Sequence, residues 1–166
     1  MTTRAVVLSD THIRTGGRRT LPEAVYRALD GADVILHAGD VLDEGVLAGL
    51  ASIAPVHAVL GNNDLGLVGV LPATREIDLD DVRVALIHDS GPSAGRPARL
   101  HRRFPDAAVV VFGHSHAPLD ALGLMGQRLF NPGSPTERRA SPHRTLGVLE
   151  LGDGELLGHR LVVVDG

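Results

Sequence analysis

The residues with chemistry in them stand at the ends of apolar runs. Ala107 to His116 reads AAVVVFGHSH: a short β-branched run, a glycine, then two histidines one residue apart. The same event recurs four times, giving Asp10 and His12 after AVVL, Asp40 after VILHAG, Asn62 and Asp64 after VHAVLG, and His88 after VRVALI. Asp, Asn and His are nitrogen and oxygen donors for a divalent cation, and imidazole also moves protons near neutral pH. One Asp or His after a strand is an ordinary turn former. Five such endings in one chain predict a shared site, because ligands of α/β sheets bind outside the carboxyl ends of the strands. If the five strands lie side by side, Asp10, His12, Asp40, Asn62, His88, His114 and His116 converge on one crevice as metal ligands.

That chemistry is hydrolytic. Two cations held close together need an anionic ligand between them, and Asp40 can take that place. Imidazoles and an Asn carbonyl complete the shells without over-neutralising the ions, which stay acidic enough to ionise a water. A histidine-rich donor set favours Mn, Fe, Zn, Co or Ni over Mg or Ca, and Mn is the metal expected.

The remainder of the chain must position these residues. Strands are predicted at Ala5–Leu8, Val34–Leu36 and Val56–Leu60, separated by helices ending near Leu29 and spanning Glu44–Ile53. Thr20 or its neighbour is expected to cap the first helix and Asp43 the second. Strand, helix, strand, helix, strand implies a parallel sheet. A hairpin follows about Asp80-Asp81, joining Arg75–Leu79 to Val82–Ile87, then a short helix near Ala98–Arg103. After the Ala107–Phe112 run come Leu119–Leu122 and Gln127–Phe130, a turn-rich Asn131-Pro132-Gly133-Ser134 loop, and a closing hairpin at Gly152-Asp153-Gly154. Gly113 is expected to supply a sharp turn through dihedrals closed to other residues. The fold class is α/β: a sandwich of two sheets with helices outside, in a single domain over residues 1–166.

Composition narrows the function. Hydrophobic residues make up 43% and charged residues 22%, ordinary for a soluble domain. With net charge −4 and four aromatics the chain has neither the basic field nor the stacking platform of a nucleic-acid binder. Cysteine is absent, so thiolate ligands, thiolate nucleophiles and disulfides are excluded. No apolar run reaches a signal-peptide core or a span of about 20 residues. A cytoplasmic protein without membrane contact is expected.

In order and spacing, Asp10-Thr11-His12, Gly39-Asp40-Val41-Leu42-Asp43, Gly61-Asn62-Asn63-Asp64, His88 and Gly113-His114-Ser115-His116 resemble the calcineurin-like metallophosphoesterase superfamily. The short length and the Asn131–Ser134 loop resemble its small bacterial and archaeal phosphodiesterase branch. The resemblance implies an αββα sandwich of two mixed sheets with a dinuclear site at the carboxyl ends of the strands. It assigns Asp10, His12, Asp40 and His116 to one ion, and Asp40, Asn62, His88 and His114 to the other. It also places Asn63, Asp64 and His88 at the reacting centre.

Two positions depart from the pattern. Larger members carry His where this chain has Asn63, which can donate a hydrogen bond to a phosphoryl oxygen but cannot protonate a leaving group. Asp64 is then expected to order the loop. Asp89 stands where Gly is commoner, as an acidic partner or a loop former. The implied activity is hydrolysis of a small phosphodiester by a hydroxide bridging two metals. Alternatives are a weakly active metal-binding scaffold for protein interaction, as the superfamily's retromer subunit is, or a phosphomonoesterase or nuclease. The resemblance allows homo-oligomers, although no stripe in the sequence marks an interface. Arg14, Arg18 and Arg138 are phosphate-binding candidates or solvated surface cations. His37 either orients a ligand or packs in the core; His57, His101, His143 and His159 are read as lying outside the site.

Overall fold

Apolar runs too short for helices become the middle strands of two sheets. A computed structural model describes residues 1–165; Gly166, the last residue of the expected domain, lies outside the described residues. The first sheet has the order β10-β9-β1-β2-β3, built from β1 (Thr2–Leu8), β2 (Val34–His37), β3 (Val56–Ala58), β9 (Thr145–Gly152) and β10 (Glu155–Val163). The second has the order β4-β5-β6-β8-β7, built from β4 (Thr74–Leu79), β5 (Val82–Ile87), β6 (Val109–Val111), β7 (Leu119–Leu122) and β8 (Arg128–Asn131). Both sheets are mixed. β1, β2 and β3 are parallel, as are β5, β6 and β8, while β9, β10, β4 and β7 run antiparallel to their neighbours.

Side-chain alternation divides each central strand between two cores. Ala5 and Val7 of β1 meet Val84, Leu86, Val109 and Val111 between the sheets. Val6 and Leu8 point the other way, beneath α1 (Glu23–Leu29) and α2 (Glu44–Ala51). Val110 and Ala85 face outward to Leu100 and Phe104 around α3 (Arg96–Arg103). Burial on both faces is why these strands read as unbroken apolar runs. The layers are therefore helices, sheet, sheet, helix. Among the described residues no helix is long and apolar enough to cross a membrane.

Several expectations shift in detail. Asp43 caps α2 as expected, its Oδ1 accepting from Gly45 N at 2.8 Å. Thr20 does not cap α1; Pro22 occupies that position and no side chain bonds the first turn. The third strand stops at Ala58 and the sixth spans only Val109–Val111. The five site strands do not lie side by side in one sheet: β1, β2 and β3 come from the first sheet, β5 and β6 from the second.

Gly113 does not have the positive φ expected of it. The histidines after it do, His114 at 73° and His116 at 60°. Glycine is required at 113 by close approach instead, since a Cβ there would collide with Ser9 Oγ and stand 2.7 Å from Asp10 Oδ2. Gly113→Ala is therefore expected to cost about 2 kcal/mol, the usual scale for overpacking a closed site. Chemical denaturation of the metal-free variant checks this, and an unchanged midpoint would refute it.

Candidate metal centre

Each strand hands its last residues to a turn, and backbone bonds lock the turns together across the cleft. Past the end of β1 the chain continues its pairing with the turn after β2: Asp10 N donates to Gly39 O (2.9 Å) and His12 N to Asp40 O (3.0 Å). From the other sheet, Gly113 N donates to His88 O (3.0 Å), and His114 N donates to Asp10 Oδ2 (2.9 Å). The second carboxylate bond of Asp10 Oδ2 comes from Ser9 Oγ at 2.7 Å. Five candidate ligands, Asp10, His12, Asp40, His114 and His116, have left-handed backbone, with φ between 48° and 73°. Such dihedrals cost about 1–3 kcal/mol each for residues with a Cβ and cluster at functional sites. Here they aim side chains from two sheets at one point.

Asp40 Oδ2 lies 3.3 Å from His12 Nε2 and 3.4 Å from His88 Nε2. Asp10 Oδ1 lies 3.5 Å from His116 Nε2 and 3.8 Å from both His12 Nε2 and His88 Nε2. Asn62 Oδ1 is 2.9 Å from His88 Nε2 and 3.2 Å from His114 Nδ1. All seven residues expected as ligands are thus brought to one cluster. Asp10, His12 and His116 offer three ligand atoms within 4.8 Å of one another, and so do Asp10, Asp40 and His88. By this grouping Asp10 stands in both sets, while Asp40 Oδ2 sits between His12 and His88.

The donors fit cations. Asp10 Oδ1, His12 Nε2 and His116 Nε2 are buried with no hydrogen-bond partner. Buried polar atoms are rarely left so, and three aimed at one spot call for a positive charge. His88 Nδ1–H donates to Ala38 O (2.7 Å) and His116 Nδ1–H to Glu137 O (2.7 Å), which turns each Nε2 lone pair inward. Inward lone pairs facing carboxylates need a proton or a metal between them. Without metal, the proton serves. The facing carboxylates of Asp10 and then Asp40 raise His12 to about 9. Burial opposes a charge on His88, yet Asp40 and Asp10 outweigh it and lift its pKa. Burial would also raise Asp40, but the facing imidazoles of His12 and His88 and the Asn63 amide hold it well below the usual carboxylate range. His116 is lowered by burial, which suits a neutral ligand.

Asn63 and Asp64 work on the loop. Asn63 N donates to Asp40 Oδ1 and Asn63 Nδ2 to Asp40 Oδ2, both at 2.9 Å. One of its two amide protons is thereby engaged. Asp64 is buried and accepts three backbone N–H groups, from Gly61 (2.7 Å), Leu42 (2.8 Å) and Asp40 (2.9 Å). Asp89 Oδ1 accepts from Gly91 N, so it shapes its own loop, and its other oxygen lies 4.0 Å from His114 Nε2. Arg138 is turned to the carbonyls of Ser141 and Pro142. The cations at the site's edge are instead Arg19, which donates to His12 O and pairs with Glu137, and Arg139, which donates to His114 O. Glu137 was not singled out from sequence, nor were Ser134 and Thr136, which bond the backbone of Asp10 and Thr11. Ser134 lies in the Asn131–Ser134 loop that carries part of the resemblance, whereas Thr136 and Glu137 lie just beyond it.

Of the two roles left open for it, His37 takes the packed one, bonding residues beside the candidate ligands and none of the ligands themselves. It is fully buried, its Nδ1 accepting from Gly39 N (3.1 Å) and its Nε2–H donating to Thr11 Oγ1 (3.0 Å). Burial lowers it to about 4 from an ordinary 6.5. The unfolded chain takes up this proton near pH 6.5 and the folded one resists until about pH 4. Its contribution to stability is complete above pH 6.5 and is lost as pH falls towards 4, by about 3 kcal/mol. Denaturant unfolding of metal-free wild type and His37→Gln across that range checks this: the variant should lack that part of the acid loss, and parallel curves would refute it.

The calcineurin-like phosphoesterase superfamily domain matches residues 4–154. A probable metallophosphoesterase of Methanothermobacter thermautotrophicus is 35% identical over 158 residues, covering 94% of this chain and 90% of the relative. Among solved structures, Vps29 of Cryptosporidium parvum superposes with a TM-score of 0.77 at 19% identity, over 98% of each chain. Vps29 of Entamoeba histolytica complexed with zinc superposes with a TM-score of 0.75 at 21% identity, over 98% of this chain and 100% of that one. These two share the αββα fold. From the domain match and the archaeal relative, the chain belongs to the calcineurin-like phosphoesterase superfamily.

Proposed function

We propose that this chain, as one domain over residues 1–166, is a metal-dependent phosphodiesterase acting on small phosphodiesters. The observation that carries the reading is the set of three buried, unpartnered ligand atoms, Asp10 Oδ1, His12 Nε2 and His116 Nε2, gathered beside Asp40 and His88. Asp10, His12, Asp40 and His116 hold one divalent cation, and Asp40, Asn62, His88 and His114 the other, with Mn²⁺ preferred and Fe, Zn, Ni or Co as alternatives. Two ions bound there supply the Lewis acidity of the reaction, ionising a water near neutral pH and offsetting charge on the phosphoryl oxygens.

The remaining work belongs to the chain. Two carboxylates against two dications leave net positive charge for a phosphate, which four imidazoles and an Asn carbonyl do not cancel. The Ala38 and Glu137 carbonyls fix the tautomers of His88 and His116. A hollow of about 330 Å³ beside Asn62 and His88, lined also by Thr74, Ile87 and Arg103, leaves room for an ester substituent. Asn63 donates a hydrogen bond to a phosphoryl oxygen and gives up no proton, so the leaving group departs unassisted. Good leaving groups and diesters are therefore favoured over alkyl monoesters.

Steady-state hydrolysis of bis-p-nitrophenyl phosphate, p-nitrophenyl phosphate and glycerol 2-phosphate in Mn²⁺ tests this. The aryl diester should turn over fastest, and chelation should abolish the reaction. Faster turnover of the alkyl monoester would overturn the diesterase reading. Absence of metal-dependent hydrolysis of all three would overturn the enzyme reading.

A further inference from the structure

We infer that Ser134, on the loop between β8 and β9, is a positioning residue that sets the spacing between Asp10 on one sheet and His116 on the other. The inference rests on the metal-site assignment proposed above. Ser134 is 1% exposed and contributes no ligand atom. Its Oγ donates to the Asp10 carbonyl at 2.8 Å and accepts from Glu137 N at 2.9 Å and Thr136 N at 3.3 Å. A hydroxyl has one proton and two lone pairs, so these bonds use its whole capacity.

The bonds form a chain. On one side is the backbone of Asp10, held at φ 56°. On the other, the same Glu137 residue whose N–H bonds Ser134 offers its carbonyl to His116 Nδ1 at 2.7 Å. One hydroxyl therefore connects the main chain of Asp10 with the ring of His116, whose Nε2 lies 3.5 Å from Asp10 Oδ1. The loop itself is tied to both layers. Asn131 Nδ2 donates to Gly113 O (3.3 Å) and Ser115 Oγ (3.2 Å), and Thr145 Oγ1 donates to Pro132 O (2.7 Å). Asn62, His88 and His114 receive no bond from Ser134. Its loss should therefore loosen the ion held by Asp10, His12 and His116, and spare the ion held by Asn62, His88 and His114.

Isothermal titration of the metal-free full chain with Mn²⁺ tests this, with thermal unfolding alongside. Wild type should bind two ions. Partners that orient a ligand typically carry 10- to 100-fold in metal affinity, so Ser134→Ala should weaken one ion by about that factor and the other by less than about threefold. Thr136→Val removes a bond to the Thr11 carbonyl (2.8 Å) and longer ones to the Asp10 carbonyl and Ser134 Oγ (both 3.4 Å), but leaves Ser134 bonded to Asp10 and Glu137. It should weaken the same single ion by less than Ser134→Ala does. If Ser134→Ala does not fold, selective weakening of one ion in Thr136→Val supports the inference, and unchanged or uniform weakening overturns it. In folded Ser134→Ala, equal loss at both ions marks a merely structural residue, and wild-type affinity at both removes the role; either overturns it. A wild type that binds fewer than two ions would sink the proposed centre along with it.

Discussion

Replacing Asp40 with Asn should lower Mn²⁺-dependent hydrolysis of bis-p-nitrophenyl phosphate by about 10³-fold or more, with the chain still folded. The side chains are nearly the same size, so packing is kept and the change is one of charge and donor geometry. Asp40 Oδ2 lies between two imidazole nitrogens at 3.3 and 3.4 Å, one from each candidate ligand set. Its two oxygens also accept from the backbone and the amide of Asn63. An Asn has one oxygen for all of these, and its NH₂ must face either the Asn63 donors or the cations. Half of the site's carboxylate charge goes with it, since Asp10 is the other anion of the cluster. Activity and Mn²⁺ stoichiometry measured on the same preparation check the expectation. Turnover within about tenfold of wild type would remove Asp40 from the centre.

The second large effect is on the scaffold. Asp64→Ala should cost about 3–9 kcal/mol, because three backbone N–H groups lose a charged acceptor in a buried place, at about 1–3 kcal/mol each. The groups belong to Asp40, Leu42 and Gly61, so the loop that presents Asp40 loses two of its ties to the loop that presents Asn62 and keeps those made by Asn63. Asp64→Asn keeps one good acceptor but turns an NH₂ towards N–H donors, and should fall between wild type and Ala. Urea unfolding of the metal-free proteins gives the order directly. A loss below about 1 kcal/mol for Asp64→Ala would show that water replaces the carboxylate. On this account Asp64 supports the centre through the backbone of Asp40 and does not touch substrate.

Both effects trace to a division of labour within Gly61-Asn62-Asn63-Asp64. These four consecutive residues supply close approach, a candidate ligand, a hydrogen-bond donor to Asp40 and a loop anchor. Position 61 must lack a side chain because a Cβ there would collide with Asp40 Oδ1 and the Asp40 backbone nitrogen. The loop is therefore fitted to Asp40 from several directions, which is why one substitution in it is felt across the site.

Much of this was legible in the amino-acid sequence. Burial on both faces writes itself as unbroken Val, Leu and Ala runs, so β1, β2, β5 and β6 could be placed, and with them the residues at their carboxyl ends. Turn chemistry is equally local: Asp80-Asp81 and Asp153-Gly154, all at positive φ, close the hairpins expected of them, and Asp43 caps α2. What the sequence could not hold is which edges meet. Backbone hydrogen bonds between strands carry no residue identity, so nothing in the runs says that β3 joins one sheet and β5 the other. The bond from Ser134 to Asp10 spans 124 positions, and the reason for Gly113 lies in Ser9 and Asp10, more than a hundred residues earlier. The identities of the candidate ligands are thus a property of the sequence. Their spacing, their left-handed backbones and the loop that binds the two sheets together belong to the fold, because only packing brings those distant atoms within reach.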